Sequence, residues 1–308
     1  MSLRKKTVVA AKLETTLGTA ESLAATDAQF IAYDFAYTLN GEDGTRDAPG
    51  SLTKLYSLIG PRSYDMTFKV ELSPDSGWAA VFLPACSMKD TAGVFSLLSG
   101  MPVASAGSPR TITIGGFMDG RKVTASGCMG NVKFVYPSGK RPYADFSFKG
   151  KYVALSDATL IAPTLPSAAA LRAANMTFTL AGAIPGKTNQ VEVDLQNEVT
   201  LGEDLGSLGA DAGYCYARVV DRNPMITAAL EQQLVATNDL HGKWAAHTLE
   251  AFILAIGSGS TVTINAPAAQ VVGIADGERD GVSTDTVTWG CKQGSAIEDE
   301  LTVTLVSV

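Results

Sequence analysis

The chain has 308 residues, 46% hydrophobic and only 18% charged, which is enough apolar side chain for a large buried core. Its net charge of −7 at pH 7 argues against a surface that grips nucleic-acid phosphates, because duplex binding needs clustered lysine and arginine. No apolar run reaches the roughly 20 residues that cross a bilayer, so composition predicts a soluble protein made in the cytoplasm, with no membrane partner.

The first part of the chain reads as an arm, a strand, a loop and a second strand. Residues 4–25 form the arm, and residues 29–39 alternate loosely as a strand. The polar stretch 40–60 has turn-forming residues without apolar spacing, which predicts a surface loop. Strict alternation then predicts a strand over 64–72, and a short helix over 78–86 follows it.

The clearest pattern lies between residues 127 and 155. Apolar and polar residues alternate on both sides of the turn 137–142, which contains two prolines and a glycine. This period-2 alternation predicts an antiparallel hairpin with one buried and one polar face. A second turn, at Asp119-Gly120, predicts another hairpin just before it.

After a proline-containing linker at 156–168, the same order of features returns. The alternation of strands predicts an ancestral duplication with a first unit over 1–160 and a second over 161–308. The alternative is that any two β domains look alike, since alternation is common. The recurring segments are 190–201, 202–213, 224–234, a tryptophan at 244, 261–264 and 270–291.

The sequence contains no pattern that indicates catalysis or a cofactor. His241 and His247, the only two histidines, stand six residues apart without the ligand spacing of a zinc site. The four cysteines are isolated from one another and form no CxxC pair, so they are predicted to be buried small hydrophobes. We therefore expect no catalytic residue, no metal and no cofactor, and not an enzyme.

Three segments carry a resemblance to a known family. The hairpin GNVKFVYPSGKRPYADFSFKGKYV, the opening TVVAAKLETTLGTAESLAATDAQFIAYDF and the closing GIADGERDGVSTDTVTWGCKQGSAIEDELTVTL are similar to segments of long-tailed bacteriophage tail tube proteins. The resemblance implies a mainly β fold of two tandem tail-tube-like β-sandwich or half-barrel units, each with a short flanking helix. It also implies a structural protein of the virion tail.

The resemblance implies stacked rings around a conduit through which double-stranded DNA passes without specific binding. Self-association is then the main partnership, with tape measure and terminator proteins at the tail ends. The arm and the loop would order on assembly as contact elements. Their candidate contact residues are Leu13, Leu17, Arg46, Asp47 and Lys54.

Asp145 and Asp285 are candidates for the lumen wall, although polar alternation alone equally predicts ordinary solvent-facing positions. Two units per chain predict a trimer with pseudo-sixfold symmetry; a hexameric ring is the other possibility. The alternative function is a carbohydrate- or receptor-binding β-sandwich module of a virion or cell surface. An all-β hydrolase is a third hypothesis, but the sequence has no pattern of catalytic residues that would support it.

Overall fold

The computed structural model describes residues 6–75, 77–166, 170–174, 176–181, 185–206 and 213–307. Within these ranges the chain is mainly β, and its pairs of neighbouring strands are antiparallel. Neither of the two helices found there has the length and apolarity needed to cross a bilayer.

The first half of the chain contains eight strands and one α-helix in the described ranges, and a short 3-10 helix at Ala25–Asp27. Their bounds are β1 Thr7–Leu13, β2 Ala32–Asp47, β3 Lys54–Glu71, α1 Gly77–Ala85, β4 Met88–Thr91, β5 Val94–Leu97, β6 Ile112–Met118, β7 Gly120–Pro137 and β8 Tyr143–Ala158.

The second half contains nine strands and one α-helix in the described ranges. Their bounds are β9 Thr177–Leu180, β10 Thr188–Asp194, β11 Glu198–Asp204, β12 Gly213–Asp221, β13 Met225–Glu231, α2 Leu240–Ala245, β14 Leu249–Ser258, β15 Ser260–Arg279, β16 Val282–Lys292 and β17 Thr302–Val306.

One sheet of fifteen strands joins the two halves, and β11 pairs with β12 in a separate two-stranded sheet. Along its main path the large sheet runs β2-β3-β8-β7-β10-β13-β16-β15-β17-β5-β4. β6 leaves this path beside β7 and carries β1, while β14 leaves it beside β15 and carries β9. The halves meet where β10 pairs with the end of β7, and again where β17 pairs with β5.

The core lies against one face of this sheet. Alternate residues of β3, β7 and β8 point into it, as the period-2 pattern predicts, and stack their aromatic rings there. Phe82 of α1 lies 4.9 Å from Phe146 and 5.3 Å from Phe68 between ring centroids. The predicted hairpin over 127–155 and the predicted helix near Trp78 are both confirmed.

The predicted loop over 40–60 is wrong. β2 continues to Asp47 and β3 begins at Lys54, so a long hairpin replaces the loop and only the turn between them is irregular. The outer side chains of this hairpin whose burial is described are mostly exposed, and they form no buried face that would impose apolar alternation on the sequence. Backbone pairing, such as Asn40 opposite Ser63, defines this hairpin instead.

The segment 190–201 is two strands rather than one. Gln196, between β10 and β11, has a φ of 49°, which turns the chain out of the large sheet. Part of the recurring segment 202–213 is strand as well, and its residues 207–212 lie outside the described ranges.

Candidate assembly surface

The described residues bring together no set of side chains that is typical of an enzyme or a metal centre. No group of three or more histidine, cysteine or acidic side chains lies close enough there to hold a metal ion. His247 Nδ1 lies 3.2 Å from the amide nitrogen of Gln270. All four cysteines are free; Cys86, Cys128 and Cys291 are buried as predicted, whereas Cys215 is only partly buried.

A wall of eight consecutive strands runs through the large sheet. Its order is β2-β3-β8-β7-β10-β13-β16-β15, with four strands from each half of the chain. The pairing β7-β10 makes it continuous: Val193 lies opposite Phe134, and Val191 lies opposite Tyr136. This junction buries Val191, Val193 and Leu195 completely. Leu195 N extends it by donating a hydrogen bond to Val132 O at 3.2 Å.

One face of the wall is polar, and in the first half it has alternating charge. Lys69, Asp145, Lys133 and Asp194 occupy one row across β3, β8, β7 and β10. Lys69 Nζ is 3.1 Å from Asp34 Oδ2, and Lys133 forms an ion pair with Glu192. Burial raises the pKa of Asp145, and the two flanking lysines oppose this effect.

In the second half, the middle rows of the same face are uncharged, and the charged residues Glu231, Arg279 and Lys292 lie at its margins. The row of side chains that contains Asp194 continues into the second half, where Asp194 lies opposite Met225 and Met225 lies opposite Gly290. The parallel rows carry small side chains, because alternate positions of β13, β16 and β15 are threonine, alanine or glycine. These positions are Thr227, Ala229, Thr286, Thr288, Gly273 and Ala275.

Asp145 and Asp285 lie on opposite faces of the wall. Asp145 is on the polar face, whereas Asp285 lies opposite Leu230, whose side chain is buried in the core. The carboxylates of Asp285 and Asp276 accept hydrogen bonds from the amide of Gln232, at 3.0 Å and 2.9 Å. The two predicted lumen candidates therefore cannot line the same side of this sheet.

Each end of the wall has a stretch of strand edge without a paired strand among the described residues. β2 pairs with β3 alone. β15 pairs with β14 up to Gln270, and from Val271 to Arg279 its edge on that side has no partner strand in the described part of the chain. Leu39 on the β2 edge is 52% exposed, in contrast to the fully buried Leu195 at the internal junction. Unpaired edges of this kind are templates for strand addition.

Three of the predicted contact residues lie near the end of the β2-β3 hairpin. Asp47 and Lys54 form an ion pair at 2.5 Å across its last strand pair. The Arg46 guanidinium lies 5.2 Å from the centre of the Tyr56 ring. Tyr56 is 77% exposed and Leu52, in the turn, is fully exposed, so the hairpin presents apolar as well as charged side chains.

The predicted arm is largely part of the molecule's own sheet. β1 pairs along its whole length with β6 and buries Val9, Ala10 and Ala11. Leu13 packs against the main core, and Leu17 is half-buried in the loop that follows. The expectation that this arm orders only on assembly is therefore wrong for Thr7–Leu13, and residues 1–5 lie outside the described ranges. The spacing of β1 is hard to recognise in sequence because its apolar residues are mostly valine and alanine.

Sequence reasoning missed Glu14, which is completely buried at the end of β1. Its carboxylate accepts hydrogen bonds from Gly18 N and Gly127 N, at 2.7 Å and 2.6 Å. The hydroxyls of Thr111 and Thr113 donate two more, at 2.6 Å and 2.9 Å. Burial raises the pKa of Glu14, and these four hydrogen bonds oppose that effect. The alternating threonines of the TIT segment were the only sequence signal for this cluster.

No protein-family model matches the chain, and no curated protein matches it.

Proposed function

We propose that this protein is a structural subunit that polymerises into rings, as a phage tail tube subunit does, and that it has no enzymatic activity. The observation that carries the proposal is the eight-stranded wall, each end of which has a stretch of strand edge with no partner strand among the described residues. A wall of this kind closes into a barrel only by joining further copies, and closure removes its edges.

The two halves support this proposal as tandem units over 1–160 and 161–308. In the first half the pairing order is β2-β3-β8-β7-β6-β1, and in the second it is β10-β13-β16-β15-β14-β9. Strands at the same place in the two orders correspond to each other, so β3 corresponds to β13. An α-helix follows each of these two strands in sequence. The strand that joins the halves, β10, is thus the counterpart of β2.

Matching details support a residue correspondence between the halves. Glu71 at the end of β3 binds Arg141 in the β7-β8 turn, at 2.9 Å. Glu231 at the end of β13 binds Arg279 at the β15-β16 turn, at 3.0 Å. Counting along the paired strands from these glutamates makes Leu39 the counterpart of Leu195.

The internal junction then serves as the template for contact between copies. By the same correspondence, Asp276 on β15 is the counterpart of Phe134 on β7. β2 of one copy would therefore pair antiparallel with the free edge of β15 in the next, with Tyr37 opposite Asp276. Leu39 would be buried there, as Leu195 is at the internal junction.

Three copies joined in this way give a ring of 24 wall strands with pseudo-sixfold symmetry. At about 4.8 Å per strand the circumference is about 115 Å and the diameter between backbones is about 37 Å. Strand tilt widens this bore and side chains narrow it, so a DNA duplex passes. Six copies would double the wall to 48 strands and give an improbably wide tube.

The polar face of the wall is the surface that we assign to the lumen. Asp145 belongs to it, and Asp285 is dropped from the lining because it lies on the other face. Lys69 and Lys133 on this face are paired with Asp34 and Glu192, and the middle rows of its second half are small and neutral, which disfavours tight binding of phosphates. Double-stranded DNA would pass without specific binding. On this proposal the protein is located in a virion tail, where tape measure and terminator proteins are its further partners.

The test is whether rings require the proposed edge contact. Leu39→Glu places a charge where the contact buries an apolar side chain, and we expect it to abolish rings in negative-stain micrographs of concentrated protein. Leu165→Glu is the control, because Leu165 is 59% exposed and lies outside the strands. The proposal fails if both variants form rings like the unmodified chain, or if the unmodified chain forms none.

A further inference from the structure

The small β11-β12 hairpin of the second half packs against the first half. It leaves the wall after Leu195 and lies over β7 and β8 of the first half. Asn197, just before it, donates from Nδ2 to Gly130 O at 3.1 Å and to Cys86 O at 3.0 Å. These bonds join the base of the second-half hairpin to the first-half wall.

The approach of this hairpin is close enough to need glycine. A Cβ at Gly127 would lie 2.9 Å from Tyr216 Cβ, and one at Gly18 would lie 2.3 Å from Cys215 O. Both glycines also have positive φ, of 60° and 70°. Tyr216 of β12 is therefore seated directly against the β7 strand at Gly127.

The outer part of the β2-β3 hairpin is the counterpart of β11-β12. It leaves the wall after Leu39, as β11-β12 does after Leu195. Tyr56 precedes Glu71 by 15 residues, and Tyr216 precedes Glu231 by the same 15. Within a single chain, however, Tyr56 is 77% exposed and Leu55 is 41% exposed. Tyr216 packs against the first half at Gly127, whereas Tyr56 has no corresponding packing surface within the described part of its own chain.

We infer that in the assembled ring the β2-β3 hairpin of each copy lies over the second half of the adjacent copy in the same ring. This inference rests on the proposed ring and adds a second contact to it. The occupant of the surface is another copy of this chain, because the β2 edge that leads into the hairpin joins that copy. The hairpin thus makes a contact, the clasp, within its own ring.

The seat for Tyr56 follows from the strand registers. Gly127 lies between Ser126, opposite Lys151, and Met129, opposite Lys149. The corresponding segment of the second half is Ala268–Gln270 of β15, opposite 290–292. Leu249 of β14 lies opposite Gln270 and is 55% exposed, which provides apolar surface at this point. Tyr56 is therefore expected near Leu249 and Gln270 of the neighbouring copy.

Photo-cross-linking tests this placement in assembled rings. Tyr56→p-benzoyl-phenylalanine is mixed in equal parts with isotopically heavy unmodified chain, the rings are irradiated, and the cross-linked peptides are identified by mass spectrometry. We expect cross-links from position 56 to residues 244–272 of the other isotopic form. The same probe at Leu165 is the control and should not reach that segment.

Each result decides one of the two proposals. Rings in which position 56 cross-links to its own chain, to a first half or to nothing overturn the clasp and leave the ring intact. Failure of the unmodified chain to form rings overturns the ring itself. As a second measurement, Tyr56→Glu should raise the concentration at which rings half-dissociate by about tenfold over Leu165→Glu. Equal values for the two variants contradict the clasp.

Discussion

At the residue scale, Glu14 ties the N-terminal strand to the rest of the first half. Each of its carboxylate oxygens accepts one backbone N–H and one threonine hydroxyl. A buried N–H that loses its acceptor costs about 1–3 kcal/mol, so the arrangement constrains what can replace this side chain. The carboxylate explains why the loop over 14–24 holds its shape without apolar periodicity.

We predict that Glu14→Gln lowers the free energy of unfolding by about 2 kcal/mol, because the amide nitrogen must face a backbone N–H that needs an acceptor. Urea unfolding at pH 7 measures the change. Glu278→Gln, at an exposed position of β15, is the control and should leave the unfolding midpoint in place. Equal midpoints for the two variants would contradict the role assigned to Glu14.

Glu21 provides a pH-dependent contribution in the same loop. Hydrogen bonds from the hydroxyl and N–H of Thr15 and the nearby Lys12 ammonium lower its pKa from 4.5 to about 2. Because the folded pKa is depressed, Glu21 stabilises the protein above pH 4.5, and this contribution is lost as the pH falls toward 2.

Glu21→Gln should therefore flatten the stability profile between pH 4.5 and pH 2. The expected difference is about 1 kcal/mol or less, since solvent screens a surface group. Thermal unfolding at several pH values checks this. A variant whose profile stays parallel to that of the unmodified chain would show that Glu21 does not titrate as described.

At the scale of elements, the ion pairs Glu71–Arg141 and Glu231–Arg279 join corresponding strands of the two halves and can be compared directly. Glu71 is only 6% exposed, and Arg141→Ala leaves its buried carboxylate without this partner. Glu231 is 31% exposed and keeps Lys187 at 3.8 Å when Arg279 is removed.

We predict that Arg141→Ala lowers the free energy of unfolding by about 2 kcal/mol and Arg279→Ala by about 1 kcal/mol or less. Chemical denaturation of the two variants under the same conditions measures both values. A larger loss of unfolding free energy for Arg279→Ala than for Arg141→Ala would mean that burial of the glutamate does not decide how much each ion pair stabilises the fold.

Elements with one buried face could be predicted from sequence, and exposed ones could not. β7 and β8 alternate because Phe134, Phe146 and Phe148 must point into the core. The β2-β3 hairpin beyond Leu39 lacks such a face, and its sequence therefore resembles a loop. Glu14 was missed for a related reason, since four hydrogen-bond partners distant in sequence make its burial possible.

At the scale of the whole molecule, the pairings β6-β7 and β7-β8 could be predicted from the turns between them. The pairing of β10 with β7 could not, because it joins residues more than 50 positions apart and leaves no local pattern. That pairing makes one wall from two units. It also changed the lumen assignment, because register places Asp145 and Asp285 on opposite faces.

The central claim is that three two-unit chains close one ring. Native mass spectrometry of the assembled protein measures the number of chains per ring directly. Our account predicts species of three chains and of multiples of three as rings stack, with micrographs of single rings showing six similar lobes. A ring of six chains as the smallest closed species would contradict it.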